Sequence, residues 1–195
     1  MILKNKRVGL ALTGSHCNLA AVMPVLADLV ARGADVLPVL SEAVATTDTK
    51  FGLASEWIEQ VRSLTGRSPI LTITGAEPIG PQGLLDVLVI CPCTGNTLAK
   101  LAGAITDGVV TMAAKAHLRN GRPVVVAVST NDGLGLNAKN LGLLLAVRNV
   151  YFVPFGQDNP EAKPNSIIAD FGQVAATVEA ALEGRQIQPL LLGRA

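Results

Sequence analysis

The sequence predicts an α/β fold: a parallel sheet covered by helices on both faces, three layers in all. Short runs such as "VGLAL", "VLVI" and "PVVVAV" are apolar without alternation, the signature of strands buried on both faces. Between them lie longer stretches whose apolar residues recur every three or four positions, as in helices with one buried side. Right-handed crossovers then wind the chain into a doubly wound, Rossmann-like (flavodoxin-like) sheet. A length of 195 residues suits one such domain and is too short for two ordinary ones, so residues 1–195 are expected to form a single domain with a C-terminal tail from about residue 185.

Each element follows in order. Arg7 to Thr13 reads as a buried strand. "HCNLAAVMPVLADLVARG" reads as a helix, with Leu19, Val22, Met23, Leu26, Leu29 and Val30 at helical spacing and Gly33 as its stop; Pro24 lies inside the pattern. Asp35 to Ser41 is a second strand, and "SEWIEQVRSLTG" a helix around Trp57 ending at a glycine. Pro69 to Ile73 is a weaker strand, followed by the proline- and glycine-rich loop "GAEPIGPQG". Asp86 to Pro92 is the strongest strand. The helical pattern after it breaks near Asp107-Gly108 and resumes through "VVTMAAKAHLRN". Arg122 to Ser129 is a strand, "NAKNLGLLLAVRN" a helix, Val150 to Phe155 a strand, and "SIIADFGQVAATVEAALEG" a closing helix. The tail, with Leu190 to Leu192, is expected to dock on a neighbour or to fray.

The composition narrows the function. Net charge is +1, which gives no electrostatic reason to expect nucleic acid or an anionic membrane as partner. With 49% hydrophobic and only 16% charged residues, part of the surface is expected to lie against another protomer. No stretch reaches the roughly 20 apolar residues of a membrane span. The opening "MILKNKRVGLALTGSH" resembles a signal peptide superficially, but it lacks a small-residue cleavage site and reads better as a glycine-bearing strand. Three cysteines, an odd number, fit a reducing compartment, so a cytoplasmic protein is expected.

Ligands of doubly wound sheets bind beyond the carboxyl ends of the strands. The loops there are Thr13 to Cys17, Ser41 to Thr49, Cys91 to Thr97, Ser129 to Gly135 and Phe155 to Asn165. In "TGSHCN" a glycine permits close approach and a hydroxyl precedes free helix-start amides, which reads either as a phosphate cradle or as a plain helix cap. The dinucleotide fingerprint GxGxxG is absent, and the second strand ends in the neutral donor Ser41, which suits a mononucleotide phosphate better than a ribose diol. Cys91 and Cys93 have one residue between them, so zinc and thioredoxin-type spacings fail and no metal is expected. What remains of "CPCTGNT" is Thr94, Gly95, Asn96 and Thr97, a grip of hydroxyls, carboxamide and amides without charge. Of the two histidines, His117 reads as a surface or helix-end residue. His16 is either an acid-base candidate at the ligand end of the first strand or a locally bonded helix-start residue. Lys163, in "NPEAKPNS", is either a carboxylate ligand or a solvated surface residue. Catalytic-triad, HExxH and P-loop patterns are missing, and Glu56 and Glu59 read as a solvated face.

Taken together, "LTGSH", "VLSEA", "CPCTGNTLAKLAGAITDG" and "RPVVVAVSTND" resemble flavoproteins of the cysteine-decarboxylase-like superfamily, which includes phosphopantothenoylcysteine decarboxylases and flavin prenyltransferases. The resemblance implies flavin mononucleotide (FMN) held by Gly14, Ser15, Ser41, Thr94, Gly95, Asn96 and Thr97, in trimers or multiples of trimers with the flavin near the boundary between protomers. It departs from the decarboxylases in lacking their histidine before the strand that leads to the flavin motif, and "VSTNDGLGL" replaces their PxMNxxMW clamp, keeping only Asn131 of its central pair. The pair Lys163-Pro164 stands where the prenyltransferases place an arginine before a proline.

"STNDGLGLN" and "PFGQDNPEAKPNSI" narrow the resemblance to a dipicolinate-forming branch of the superfamily, along nearly the whole chain. That branch implies an oxidoreductase in the mother cell of a sporulating bacterium. Its flavoprotein-like chain works with an NAD(P)-binding subunit to oxidise dihydrodipicolinate to pyridine-2,6-dicarboxylate. Asn131 and Lys163 would then hold the substrate's carboxylates, and His16 would accept the proton. A catalytically silent binding partner and a stand-alone prenyltransferase or decarboxylase are the alternative readings.

Overall fold

The structure is a computed structural model that describes residues 3–193. Four parallel strands form the centre of the sheet: β1 (Arg7–Leu12), β2 (Asp35–Leu40), β3 (Val87–Cys93) and β4 (Val124–Thr130), with β5 (Val150–Phe152) parallel to the far side of β4. The parallel order is therefore β2-β1-β3-β4-β5, and the direction of winding reverses between β1 and β3. Every residue of β3 is buried, as its unbroken apolar run requires.

Helix α1 (His16–Ala31) follows β1 and buries Leu19, Val22, Met23, Leu26 and Leu29. Pro24 lies inside it and removes the bond to the carbonyl of Ala20; both residues are exposed, so water can serve that carbonyl and the helix continues. After β2 come α2 (Glu42–Thr46) and α3 (Ala54–Thr65). The amide of Leu53 donates to Glu56 Oε2 at 3.0 Å at the start of α3, and Gly66, at φ +67°, ends it in a left-handed turn that disfavours a side chain. Helices α4 (Ile73–Ala76), α5 (Gly95–Ala102), α6 (Val109–Leu118) and α7 (Ala138–Leu145) pack over one face of the sheet in the spatial order α4, α6, α5, α7, while α8 (Val174–Leu182) joins α1 on the other.

Several expected elements differ. Pro69 to Ile73 forms only one parallel bridge, Ile70 to Val39, because Thr72 caps α4 by accepting the Gly75 amide at 3.1 Å and turns the chain away. The loop from Gly75 to Gly83 contains the end of α4 and a 3-10 turn, Glu77–Ile79. The strand expected over Val150 to Phe155 breaks at Pro154, which has no N–H to carry the ladder onward. Its second half starts β6 (Phe155–Gln157), which pairs antiparallel with β7 (Ile167–Ala169). β7 occupies the start of what read as the closing helix. Ile167 and Ile168 pair antiparallel with Thr130 and Ser129 at the end of β4, and Asp170 caps the turn before α8 by accepting the Gly172 amide at 3.0 Å. Leu190 and Leu192, expected on a neighbour or frayed, bond instead to the backbone of Phe155 at 3.0 and 2.9 Å.

His117 is a further correction. It lies in the last turn of α6 but is fully buried, and Nε2 donates to the carbonyl of Pro123 at 3.1 Å. Burial, reinforced by the charge of Arg122, pushes its pKa down to about 4.

Candidate functional site

The site lies where β1 and β3 part. β3 carries a bulge between Ile90 and Cys93, which shifts its register against β4 by one residue before the chain enters α5. The bulge is fastened to β1 by Thr13, a fully buried residue. Its hydroxyl donates to the carbonyl of Pro92 at 2.6 Å and accepts the amide of Thr94 at 3.0 Å. Thr94 then caps α5, accepting the Thr97 amide at 3.3 Å.

Two open chambers adjoin at Gly14 and Thr94, which line both. The first has a volume of 490 Å³ and is walled by Thr13, Ser41, Asn96, Thr97 and the start of α6 from Gly108 to Thr111. Ser41 Oγ is buried there with no hydrogen-bond partner among the described residues. Such an atom costs about 1–3 kcal/mol unless a ligand or water satisfies it. The chamber is not free of charge, contrary to the expectation from the sequence. Glu42, Lys100 and Asp107 line it as well, and Lys100 meets Asp107 at 2.8 Å. Helical spacing accounts for Lys100, which follows Asn96 by four positions and Thr97 by three and so shares their face of α5.

The second chamber, of 610 Å³, draws on all five loops named from the sequence. Its floor is a polar knot. Asn18 Nδ2 donates to Ser15 Oγ at 3.0 Å and to Ser129 Oγ at 2.8 Å, and the two serine hydroxyls lie 3.1 Å apart. Ser15 is thereby engaged inside the protein. His16, Cys17, Thr49 and Phe51 line the chamber, as do Asn131, Asp158, Lys163 and Ser166. His16 Nδ1 is buried without a partner among the described residues. Lys163 Nζ donates to Asp158 Oδ2 at 2.8 Å, and this carboxylate holds the ammonium above its usual pKa.

Gly95 shows why the turn needs glycine. A methyl group there would collide with Thr130 Oγ1 and lie 2.7 Å from Asn137 Nδ2 and 2.8 Å from Asp132 Oδ1. Asp132 holds the other two, accepting from Thr130 at 2.5 Å and from Asn137 at 2.8 Å, so the "STND" loop is built directly against the α5 turn.

All the residues singled out from the sequence therefore reach this groove. Ser41, Asn96 and Thr97 line the first chamber; Ser15, His16, Gly95, Asn131 and Lys163 line the second; Gly14 and Thr94 stand between. Sequence reasoning missed Thr13, Asp158 and the Asp132–Asn137 pair as parts of the site. It also passed over Glu42, which is adjacent to Ser41 and was visible in the sequence as an acid at the end of the second strand. Cys91 and Cys93 are fully buried, and burial pushes the Cys91 thiol up and that of Cys93 up to about 12. Among the described residues, no three His, Cys, Asp or Glu are grouped to hold a metal, and no helix is long and apolar enough to cross a membrane.

The sequence pattern of the family described as Flavoprotein matches residues 2–179. The B subunit of dipicolinate synthase from Bacillus subtilis is 50% identical over 190 residues, which cover 97% of this chain and 95% of that protein. The crystal structure of the B subunit of dipicolinate synthase from Bacillus halodurans superposes with a TM-score of 0.92 at 50% identity, with 100% of each chain covered. The flavin prenyltransferase UbiX of Thermoplasma acidophilum is 31% identical over 113 residues, 58% of this chain and 62% of that protein.

Proposed function

This chain belongs to the flavoprotein family, and we propose that it serves as the B-type subunit of a dipicolinate-forming oxidoreductase. With a separate NAD(P)-binding partner, the A-type subunit, it would oxidise dihydrodipicolinate to pyridine-2,6-dicarboxylate in the mother cell of a sporulating bacterium. The observation that carries this reading is the 50% identity to the Bacillus subtilis protein along 97% of the chain.

The groove's chemistry agrees with it. The orphaned Ser41 hydroxyl, the close approach allowed at Gly14, and the Gly95 and Asn96 amides at the start of α5, with Lys100 on the same helix face, make a donor set that fits the phosphoryl end of FMN. When bound, a flavin supplies a two-electron acceptor. The residues of this chain would do the positioning. Lys163 and Asn131 would hold the dicarboxylate in the second chamber, beside the same Thr94 turn. Loss of hydride and a proton aromatises the ring, which drives the reaction, and His16, which lines the chamber, would take the proton. Exposed Leu134, Leu136, Leu143, Leu145 and Val147, on and beside α7, supply apolar surface for contact between protomers in a trimer or a multiple of trimers.

A second reading, a substrate-binding partner without chemistry of its own, is favoured by one observation: the chamber's lysine is already paired with Asp158. Two measurements decide. The visible spectrum of the purified chain after incubation with FMN should show bound flavin; a colourless protein removes the cofactor from the proposal. Product formation should need both proteins. Full turnover by the NAD(P)-binding partner on its own would leave this chain silent, and prenyl transfer or decarboxylation without any partner would move it to the other branches of the family.

A further inference from the structure

The acid–base inventory of the second chamber is unusual for a site that takes a dianion. Its lining holds one lysine, Lys163, and that lysine is matched by one carboxylate, Asp158, at 2.8 Å. Asp158 is fixed from two further directions. Its amide donates to the carbonyl of Ser166 at 3.1 Å, and the nearly buried Ser166 hydroxyl lies 3.4 Å from Oδ2. The carboxylate is thus the better-held member of the pair, while the lysine side chain is the more exposed one. The lysine side chain is 55% exposed and the aspartate 33%, so the pair is of the weak, solvated kind that a competing carboxylate can open.

We propose that Asp158 competes with the substrate's carboxylate for Lys163 and so limits affinity, which lets the chamber bind dicarboxylates loosely and release the product. This rests on the reading of the chamber as a dicarboxylate site. A ligand carboxylate must draw Lys163 away from the anchored Asp158 and then lie close to the charge left behind. A dianion feels that charge more strongly than a monoanion does. Substrate and product carry the same two carboxylates, so the pair weakens both alike and guards against product retention.

The test is calorimetric titration of the full chain with pyridine-2,6-dicarboxylate and with pyridine-2-carboxylate at low ionic strength. Asp158→Asn keeps the shape and removes the charge. It should tighten dicarboxylate binding about tenfold and monocarboxylate binding less. Asp158→Glu, which keeps the charge, should change either by less than about twofold. In a Lys163→Met background, where binding is weak, the gain from Asp158→Asn should be smaller than in the wild type, because the competition has lost its object and only direct repulsion is relieved. Equal dicarboxylate affinity in wild type and Asp158→Asn overturns the inference and leaves the dicarboxylate reading standing. An undiminished gain in the Lys163→Met background also overturns it, since Asp158 would then act only through its field. Absence of pyridine carboxylate binding in every variant of a chain that has taken up FMN overturns both.

Discussion

Thr13 and Thr94, 81 positions apart, are joined by a hydrogen bond from the Thr94 amide to the Thr13 hydroxyl at 3.0 Å, and the same hydroxyl donates to Pro92 at 2.6 Å. One buried oxygen thus fixes the angle at which the β3 bulge delivers α5 to the groove. Replacing Thr13 with valine keeps the volume but leaves a buried carbonyl and amide unpaired. The expected loss is about 1–3 kcal/mol of stability, read as a lower urea midpoint, together with weaker flavin retention. Thr13→Ser should retain most of both.

Gly95→Ala sets two effects against each other. Alanine in a helix is favoured over glycine by about 1 kcal/mol at most. The added methyl group would meet three side chains tied together through Asp132, none farther than 2.8 Å, and overpacking of this kind costs about 1–3 kcal/mol or more. The clash wins. The variant should melt at a lower temperature and lose at least about tenfold in flavin affinity, since the Thr94–Thr97 turn must move. An unchanged affinity would mean that the turn does not contact the cofactor.

His117 predicts how stability depends on pH. Its folded pKa is pushed down to about 4, below the ordinary value of 6.5, so the unfolded chain takes up a proton first as pH falls. Stability should therefore be full above pH 6.5 and decline as pH drops from about 6.5 to about 4, by at most about 3 kcal/mol. Denaturant melts of His117→Gln, compared with wild type across that window, should show a flatter slope for the variant. Identical slopes would exclude the histidine as the cause.

The cysteines should differ in reactivity. Cys17 is exposed at the mouth of the second chamber, whereas Cys91 and Cys93 are buried with raised thiol pKa values. A thiol reagent should label one site in the native protein and three after denaturation. Mass mapping should find the native label on Cys17, and FMN or pyridine-2,6-dicarboxylate should slow it if either occupies the adjoining groove.

The central strands were legible because uninterrupted apolar runs have no competing explanation at that length. The errors lie where a local pattern admits two readings. Ile167 and Ile168 sit in front of a good helical pattern but are claimed by the end of β4, a partner that no window of sequence contains. Pro69 to Ile73 has a strand-like composition but is ended by the cap at Thr72. In the groove, the glycines and small hydroxyls of the first and third loops could be read because turns demand them. The partners that give those residues their roles could not. Thr13 reaches across to Pro92 and Thr94, and Ser15 to Ser129, 114 positions away. Lys163 was visible as a charge, but its neutralisation by Asp158 depends on a loop geometry that spacing does not encode.

Leu190 and Leu192 run alongside Phe155 and exchange backbone bonds with it at 3.0 and 2.9 Å, although the Leu191 side chain itself is 68% exposed. Three residues beyond Phe155 comes Asp158. Trimming the chain back to residue 189, or threading a purification handle through this stretch, would unzip the outer border of the segment that carries the aspartate. Protein made for ligand measurements is therefore better extended at the amino end, and a shortened form that binds acids abnormally would be reporting on its cut rather than on its pocket.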